Sequence, residues 1–423
     1  MSLPFRLVLA PMLAVALVGC GGSSESTPDP GATSTGPQGT SGTVSVAADE
    51  TSTTGASAAA TGSSDATDAS ETGPLATCLE QQDLVGQVVQ TYQESQPLVG
   101  LVVSASTEGC EPWSQAWGTA DLATDEALTP QHILRAGSVT KSYTAALMLR
   151  LEEAGILGLD DTIDLWGLDI PSADEITIRQ LLNHTSGLAD YQANPTFVEA
   201  LTADPDRVWT PAELVAYTVE LGPVGAPGGT HAYSNANYVI AALVSEDATG
   251  GTYRDALYTH VLEPAGLVHT YLEGEDTWDE PTAVGYLVQA DGRPQDTTGG
   301  YHGSAVWSSG ALVGTGDDVR RWMETLLATD FLSAPSQAQL VEWVPAGPVS
   351  YGLGIFAVES RNVTAYGHNG AVMGFQAAAL YHPHSGATVS VLQNEITVDG
   401  TGALATDPTT LATQILEALA AVE

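Results

Sequence analysis

The chain has 423 residues, with 51 acidic against 11 basic side chains and a formal net charge of -40. With 43% apolar and 15% charged residues it has the material for a hydrophobic core. So acidic a surface repels nucleic-acid phosphates and anionic membrane surfaces, which excludes DNA or RNA as a partner. The basic side consists of ten arginines and a single lysine, Lys141.

Residues 1–20 place Arg6 ahead of an apolar run from Leu7 to Val18. The run is short for a membrane span and ends in small residues, as a secretory signal does. Leu17-Val18-Gly19-Cys20 resembles a bacterial lipobox. That resemblance implies lipidation of Cys20 and an extracytoplasmic protein held to the membrane or cell envelope by its lipid anchor alone. Residues 21–77 are rich in Ser, Thr, Gly, Ala and Pro, with seven acids and no base. Such a segment buries too little apolar surface to offset its ordering entropy and is expected to be a disordered tether. The folded domain is expected over 78–423, where 44 acids face 10 bases. With Cys20 assigned to lipid, Cys78 and Cys110 remain. An exported pair reads as a disulfide, pinning the first helix to a turn between early strands. Neither cysteine has a second thiol or histidine at ligand spacing, so no metal site is expected, and no cofactor.

The pattern predicts a helix over 79–94, a strand over 98–105, a turn around Gly109–Pro112 and a strand over 113–119, an antiparallel hairpin. A largely apolar helix follows over 138–153, its interior lacking Gly and Pro. Residues 155–300 read as helices and loops, including a short helix ending at Leu181-Leu182 and another over 211–221. Strands return over 351–358, 363–367, 375–382 and 388–393, and a helix over 411–422 closes the chain. Strands at both ends with helices between imply an antiparallel sheet built from distant parts of the chain, flanked by helices, with a mostly helical second lobe.

Ser138-Val139-Thr140-Lys141 stands at the start of the apolar helix. Residues i and i+3 share a helix face, so the Ser138 hydroxyl and the Lys141 amine can meet. The backbone N–H groups of a helix N-terminus favour negative charge developing beside Ser138. An amine buried against apolar side chains has a lowered pKa and can act as a base. A plain N-cap is the alternative role for Ser138. A mostly apolar helix is nevertheless a costly place for the chain's one lysine unless it has a function.

Arg135-Ala136-Gly137-Ser138-Val139-Thr140-Lys141, the segment Leu181–Leu188 around Asn183-His184-Thr185-Ser186-Gly187, and Tyr233-Ser234-Asn235 together resemble the serine β-lactamase-related family. Pro227-Gly228, Ser308-Ser309-Gly310, Asp317-Asp318, Tyr351-Gly352-Leu353-Gly354 and His368-Asn369-Gly370 with Gly374-Phe375 extend the match over about 95–400. The family holds class C β-lactamases, D-alanyl-D-alanine carboxypeptidases and esterases. The resemblance implies a β-lactamase/transpeptidase-like fold with Ser138 as nucleophile, Lys141 as base and Tyr233 as proton relay, its pKa lowered by nearby cations. It also implies that Asn235 orients Lys141 and donates to the substrate amide, and that His368-Asn369-Gly370 lies on an edge strand of the cleft. The N–H groups of Ser138 and Ala371 would form the oxyanion hole. His184 is read as a turn residue, and Tyr301 and Trp307 as cleft or packing aromatics.

One departure bears on substrate. Where carboxypeptidases of the group hold the substrate carboxylate with hydroxyls, this chain has Asn369 and Ala371, and Ala371 offers no donor side chain. The function expected is an acyl-enzyme serine hydrolase on small peptide or ester substrates, D-alanyl-D-alanine carboxypeptidase-like. An esterase or other amidase, a β-lactamase and a non-catalytic penicillin-binding scaffold are the alternatives.

Overall fold

The computed structural model describes residues 74–422 apart from 97, 168 and 400. The signal segment, Cys20 and almost all of the tether lie outside the described residues. Nine strands form one antiparallel sheet: β1 (Gly100–Ser106), β2 (Trp113–Asp121), β3 (Glu126–Ala127), β4 (Val344–Ala346), β5 (Val349–Tyr351), β6 (Phe356–Glu359), β7 (Thr364–Val372), β8 (Phe375–Tyr381) and β9 (Thr388–Gln393). Their spatial order is β3-β2-β1-β9-β8-β7-β6-β5-β4. The two ends of the chain meet where β1 pairs with β9, Leu101 opposite Gln393.

Both faces of the sheet are covered, which is why its central strands are apolar along their length. Ala377 and Ala379 of β8 face one buried cluster while Ala378 and Leu380 face the other. On one side lie α1 (Pro74–Ser95) and the closing helix, Pro408–Ala420, which contribute Val85, Val89, Leu411, Ile415 and Leu416. On the other lie α2 (Thr140–Glu153) and Trp322 of the helix Gly316–Ala328, and beyond them the helical lobe with α3 (Asn235–Thr249). Every residue of α2 from Thr140 to Leu149 is buried, so this helix is the centre of the molecule. Its polar side chains are satisfied: Thr144 Oγ1 donates to Ser308 O at 2.8 Å and Ser142 Oγ accepts from Trp322 Nε1 at 2.8 Å.

Four boundaries differ from the sequence expectation. The first helix starts at Pro74, inside the segment assigned to the tether. The α2 helix starts at Thr140, after a 3₁₀ turn over Gly137–Val139, and Ser138 makes no capping bond. The strand expected over 351–358 is a hairpin, β5 and β6, broken at Gly352-Leu353-Gly354. Gly354 turns there with φ +70, and a Cβ on it would lie 2.6 Å from Lys141 O, so the hairpin packs on the α2 backbone. The strand expected to end at 367 runs on to Val372. Among the described residues, no helix is long and apolar enough to cross a membrane.

Cys78 and Cys110 are joined, linking the start of α1 to the β1–β2 turn across 32 residues of sequence. The link restrains the unfolded chain and holds α1 on the sheet. Cys110→Ser is expected to cost about 2–4 kcal/mol, read as a lower urea midpoint; an unchanged midpoint would refute the stabilising role.

Candidate active site

The Gly137–Val139 turn sits where β7 loses a neighbour. β6 pairs with β7 only from Glu359–Thr364 to Phe356–Gly367, so from His368 onward that side of β7 is unpaired. The edge strand expected at this motif is therefore only the second half of a strand that is otherwise interior. Contact between turn and strand is close enough to require glycine on both. A Cβ on Gly370 would stand 2.1 Å from Ala136 O and 2.7 Å from Ser138 N; one on Gly137 would stand 3.0 Å from Ala371 N. Gly137 also has φ +54, which other residues rarely adopt. Ser138, Gly370 and Ala371 line one cavity of about 250 Å³, and their backbones converge at its floor.

Lys141, the second residue of α2, is fully buried. Its Nζ lies 3.0 Å from Ser138 Oγ and donates to Asn235 Oδ1 and to the Ser309 carbonyl, each at 2.7 Å. A neutral amine has two N–H bonds and one lone pair. With both N–H groups held by Asn235 and Ser309, the lone pair is directed at the Ser138 hydroxyl. Burial pulls the Lys141 pKa down to about 7, against the opposing pull of the Asp190 carboxylate.

Tyr233 donates its hydroxyl to Ser138 Oγ at 3.0 Å, and Lys141 Nζ stands 4.9 Å from its ring centroid. The lowered phenol pKa expected from nearby cations is not what the site produces. Burial, then the neighbouring Tyr351, raises it well above the ordinary value, so Tyr233 is a neutral proton donor. His184 fixes its approach. At φ +60 it ends the helix Ile178–Leu182, and its Nδ1 accepts from Ser234 N at 3.2 Å and Asn237 Nδ2 at 3.0 Å. Burial holds its pKa well below the usual range, consistent with a turn residue.

Two expectations about binding residues are corrected. Both amide N–H groups of Asn235 are engaged, with Asp190 Oδ2 at 2.9 Å and Gln192 Oε1 at 3.0 Å. Asn235 thus orients Lys141 but has no donor left for a substrate. His368 is fully buried, its Nε2 2.8 Å from the Tyr351 hydroxyl, and it does not line the cavity. Burial, then Lys141, lowers its pKa to about 3, so the ring is neutral. Asn369 and Tyr301 do line the cavity; Trp307 is buried away from it and Arg361 lies exposed outside it.

A hydroxyl between a buried amine and a neutral phenol, beside converging backbone N–H groups, can act as a nucleophile toward a carbonyl. The Beta-lactamase family model matches residues 85–407. The chain belongs to this family. Penicillin-binding protein 4* of Bacillus subtilis is 26% identical over 326 residues, covering 72% of this chain and 70% of that protein. A D-aminopeptidase of Brucella anthropi is 29% identical over 68% of this chain, which spans only 54% of that relative. Among solved structures, the D-amino acid amidase of Ochrobactrum anthropi SV3 shares the fold with a TM-score of 0.73, at 24% identity, over 81% of this chain and 100% of that one. A D-stereospecific amidohydrolase from Streptomyces sp. has a TM-score of 0.68 at 25% identity, over 79% and 97%.

Ordered sequence motifs mark the residues that meet at Ser138, whereas Asp190 and Gln192 belong to none of those motifs. They follow the Asn183–Gly187 segment in a loop, and only the fold turns them toward Asn235. Burial pushes the Asp190 carboxyl up to about 6, with Lys141 and Asn235 pulling it back. Gly370→Ala is expected to part β7 from the Ser138 turn and slow acylation of Ser138 by an activated ester by up to about 10²-fold. Intact mass measures the adduct; wild-type acylation in a folded variant would refute the close-contact reading.

Proposed function

We propose that this protein is a serine hydrolase working through an acyl-enzyme on peptide, amide or ester bonds, with uncharged substrates preferred over peptides ending in a free carboxylate. The observation that carries this is the Lys141 amine, whose two N–H groups are occupied and whose lone pair faces Ser138 Oγ.

In the proposed reaction Lys141 takes the proton of Ser138 as Oγ attacks the substrate carbonyl carbon. The carbonyl oxygen gains negative charge between the N–H groups of Ser138 and Ala371. As the C–N or C–O bond breaks, the departing atom takes the Tyr233 proton, which the Lys141 ammonium restores. Water then attacks the ester on Ser138 with the same groups reversed, releasing the acid. Asn235, held by Asp190 and Gln192, keeps Lys141 in place. The domain is read as exported and tethered by residues 21–73 to a lipid on Cys20.

Preference for uncharged substrates follows from the cavity wall. Among the described residues no Lys, Arg or His lines it, and Ala371, which does, offers no donor side chain to a carboxylate. The relatives described as a D-aminopeptidase and a D-amino acid amidase support amide substrates built from D-residues.

Incubation with a fluorescent penicillin or a nitrophenyl ester is expected to leave an adduct on the wild type that Ser138→Ala lacks. Lys141→Ala is expected to slow acylation by roughly 10²–10⁴-fold. A protonated lysine cannot accept the serine proton, so ester kcat/KM is expected to rise with pH through about 7. A pH-independent rate between 5 and 9 would remove Lys141 as the base. A D-Ala-D-Ala peptide amide should be cleaved at least as fast as the free acid; strict dependence on the acid would restore the carboxypeptidase reading.

A further inference from the structure

The cavity does not end at the reacting groups. One arm continues past Asn369 and Val349 to Thr409, Thr406 and the last turn of α1, where Tyr92 and Gln96 close it. Tyr233 packs against the buried cluster that holds Phe356 and Val358, two residues of the arm's wall. Tyr233 packs edge-on against Tyr351 with ring centroids 6.4 Å apart, and Tyr351 pairs across the β5–β6 hairpin with Phe356, a wall of the arm. A departing group collects its proton on the side where Tyr233 stands, so the arm is placed to hold the leaving group and not the acyl group.

Its lining describes what it can hold. The one carboxylate among the described lining residues, Asp407, caps the closing helix by accepting from Thr409 N at 2.9 Å, and it disfavours an anionic leaving group. Asn369 gives its amide N–H to Thr409 Oγ1 at 3.2 Å, which leaves Oδ1 buried and, among the described residues, without a donor. Gln96 Oε1, at the far end, is in the same condition. Val349, Phe356 and Val358 lie between. Two buried acceptors separated by an apolar wall, with no cation, fit a chain that brings its own N–H groups and no charge.

We infer that the leaving group of the natural substrate is an uncharged, N–H-bearing chain longer than one residue, such as an internal or amidated peptide segment, gripped at Asn369 and Gln96. This rests on the acyl-enzyme chemistry proposed for Ser138 and specifies its substrate.

The test holds the acyl part constant as N-acetyl-D-alanine and lengthens the leaving group: ammonia, D-alanine amide, D-alanyl-D-alanine amide, and the last as its free acid. The two-residue amide is expected to be cleaved with kcat/KM about tenfold above the one-residue amide, as gaining a buried hydrogen bond implies, and above the free acid. Gln96→Leu, remote from Ser138, is expected to abolish that gain while hydrolysis of p-nitrophenyl acetate stays at the wild-type rate, which also reports that the variant is folded. Equal rates for the two amides, or a gain that survives in Gln96→Leu, overturn the inference while ester turnover upholds the Ser138 chemistry. If the wild type fails to turn over the ester, both readings fall.

Discussion

The arrangement depends on keeping one amine dry. A lysine buried in the first turn of a mostly apolar helix costs several kcal/mol if it stays charged without partners, and this fold meets that cost with two oxygens and a low pKa instead of a counter-ion in contact. Asn235 and the Ser309 carbonyl take the two N–H groups of the neutral form, and Asp190 stands one residue further off. A carboxylate in direct contact would have held the ammonium charged and left no lone pair for Ser138. Placing it behind an amide keeps Lys141 near 7, where a small change in surroundings moves the proton either way.

Holding that geometry takes elements from all parts of the chain. The α2 helix supplies the amine, the loop after Gly187 fixes Asn235, and the segment Ser308–Gly310 supplies a carbonyl. The 3₁₀ turn at Ser138 can reach its place only because Gly137 and Gly370 let two backbones touch where side chains would keep them apart. The second half of β7 can serve the cleft because β6 begins only at Phe356, opposite Gly367, after the sharp Gly352–Gly354 turn that rests on the Lys141 backbone. Gly137, Gly370 and Gly354 therefore set the position of Ser138 between the turn and the sheet edge.

Much of this was legible in sequence. Apolar runs located the central strands, and Ser138 and Lys141 stood out because i and i+3 must meet on a helix and the chain holds no other lysine. What sequence order could not convey was which polar groups pair with each other. Asn235 looked available to a substrate until Asp190 and Gln192, some 45 residues away in the chain, were seen to take both its N–H groups. His368 was expected on the edge strand lining the cleft, whereas β7 turns its ring inward to Tyr351. Tyr233 was expected to have a lowered pKa because charge was counted and desolvation was not; in a site this dry, burial is the larger effect.

That correction alters the division of labour at Ser138. A tyrosinate would compete with Lys141 for the serine proton and would repel the developing alkoxide. A phenol held neutral by burial does neither: in the proposed reaction it would steady the negative oxygen by donating and keep a proton for the departing group. Two groups of ordinary pKa 10 or above are thus driven apart by the same burial, the amine toward its neutral basic form and the phenol further into its neutral acidic form, because desolvation disfavours whichever form is charged. In the proposed reaction, base and acid would thus arise from one physical cause acting on two side chains of opposite charge type.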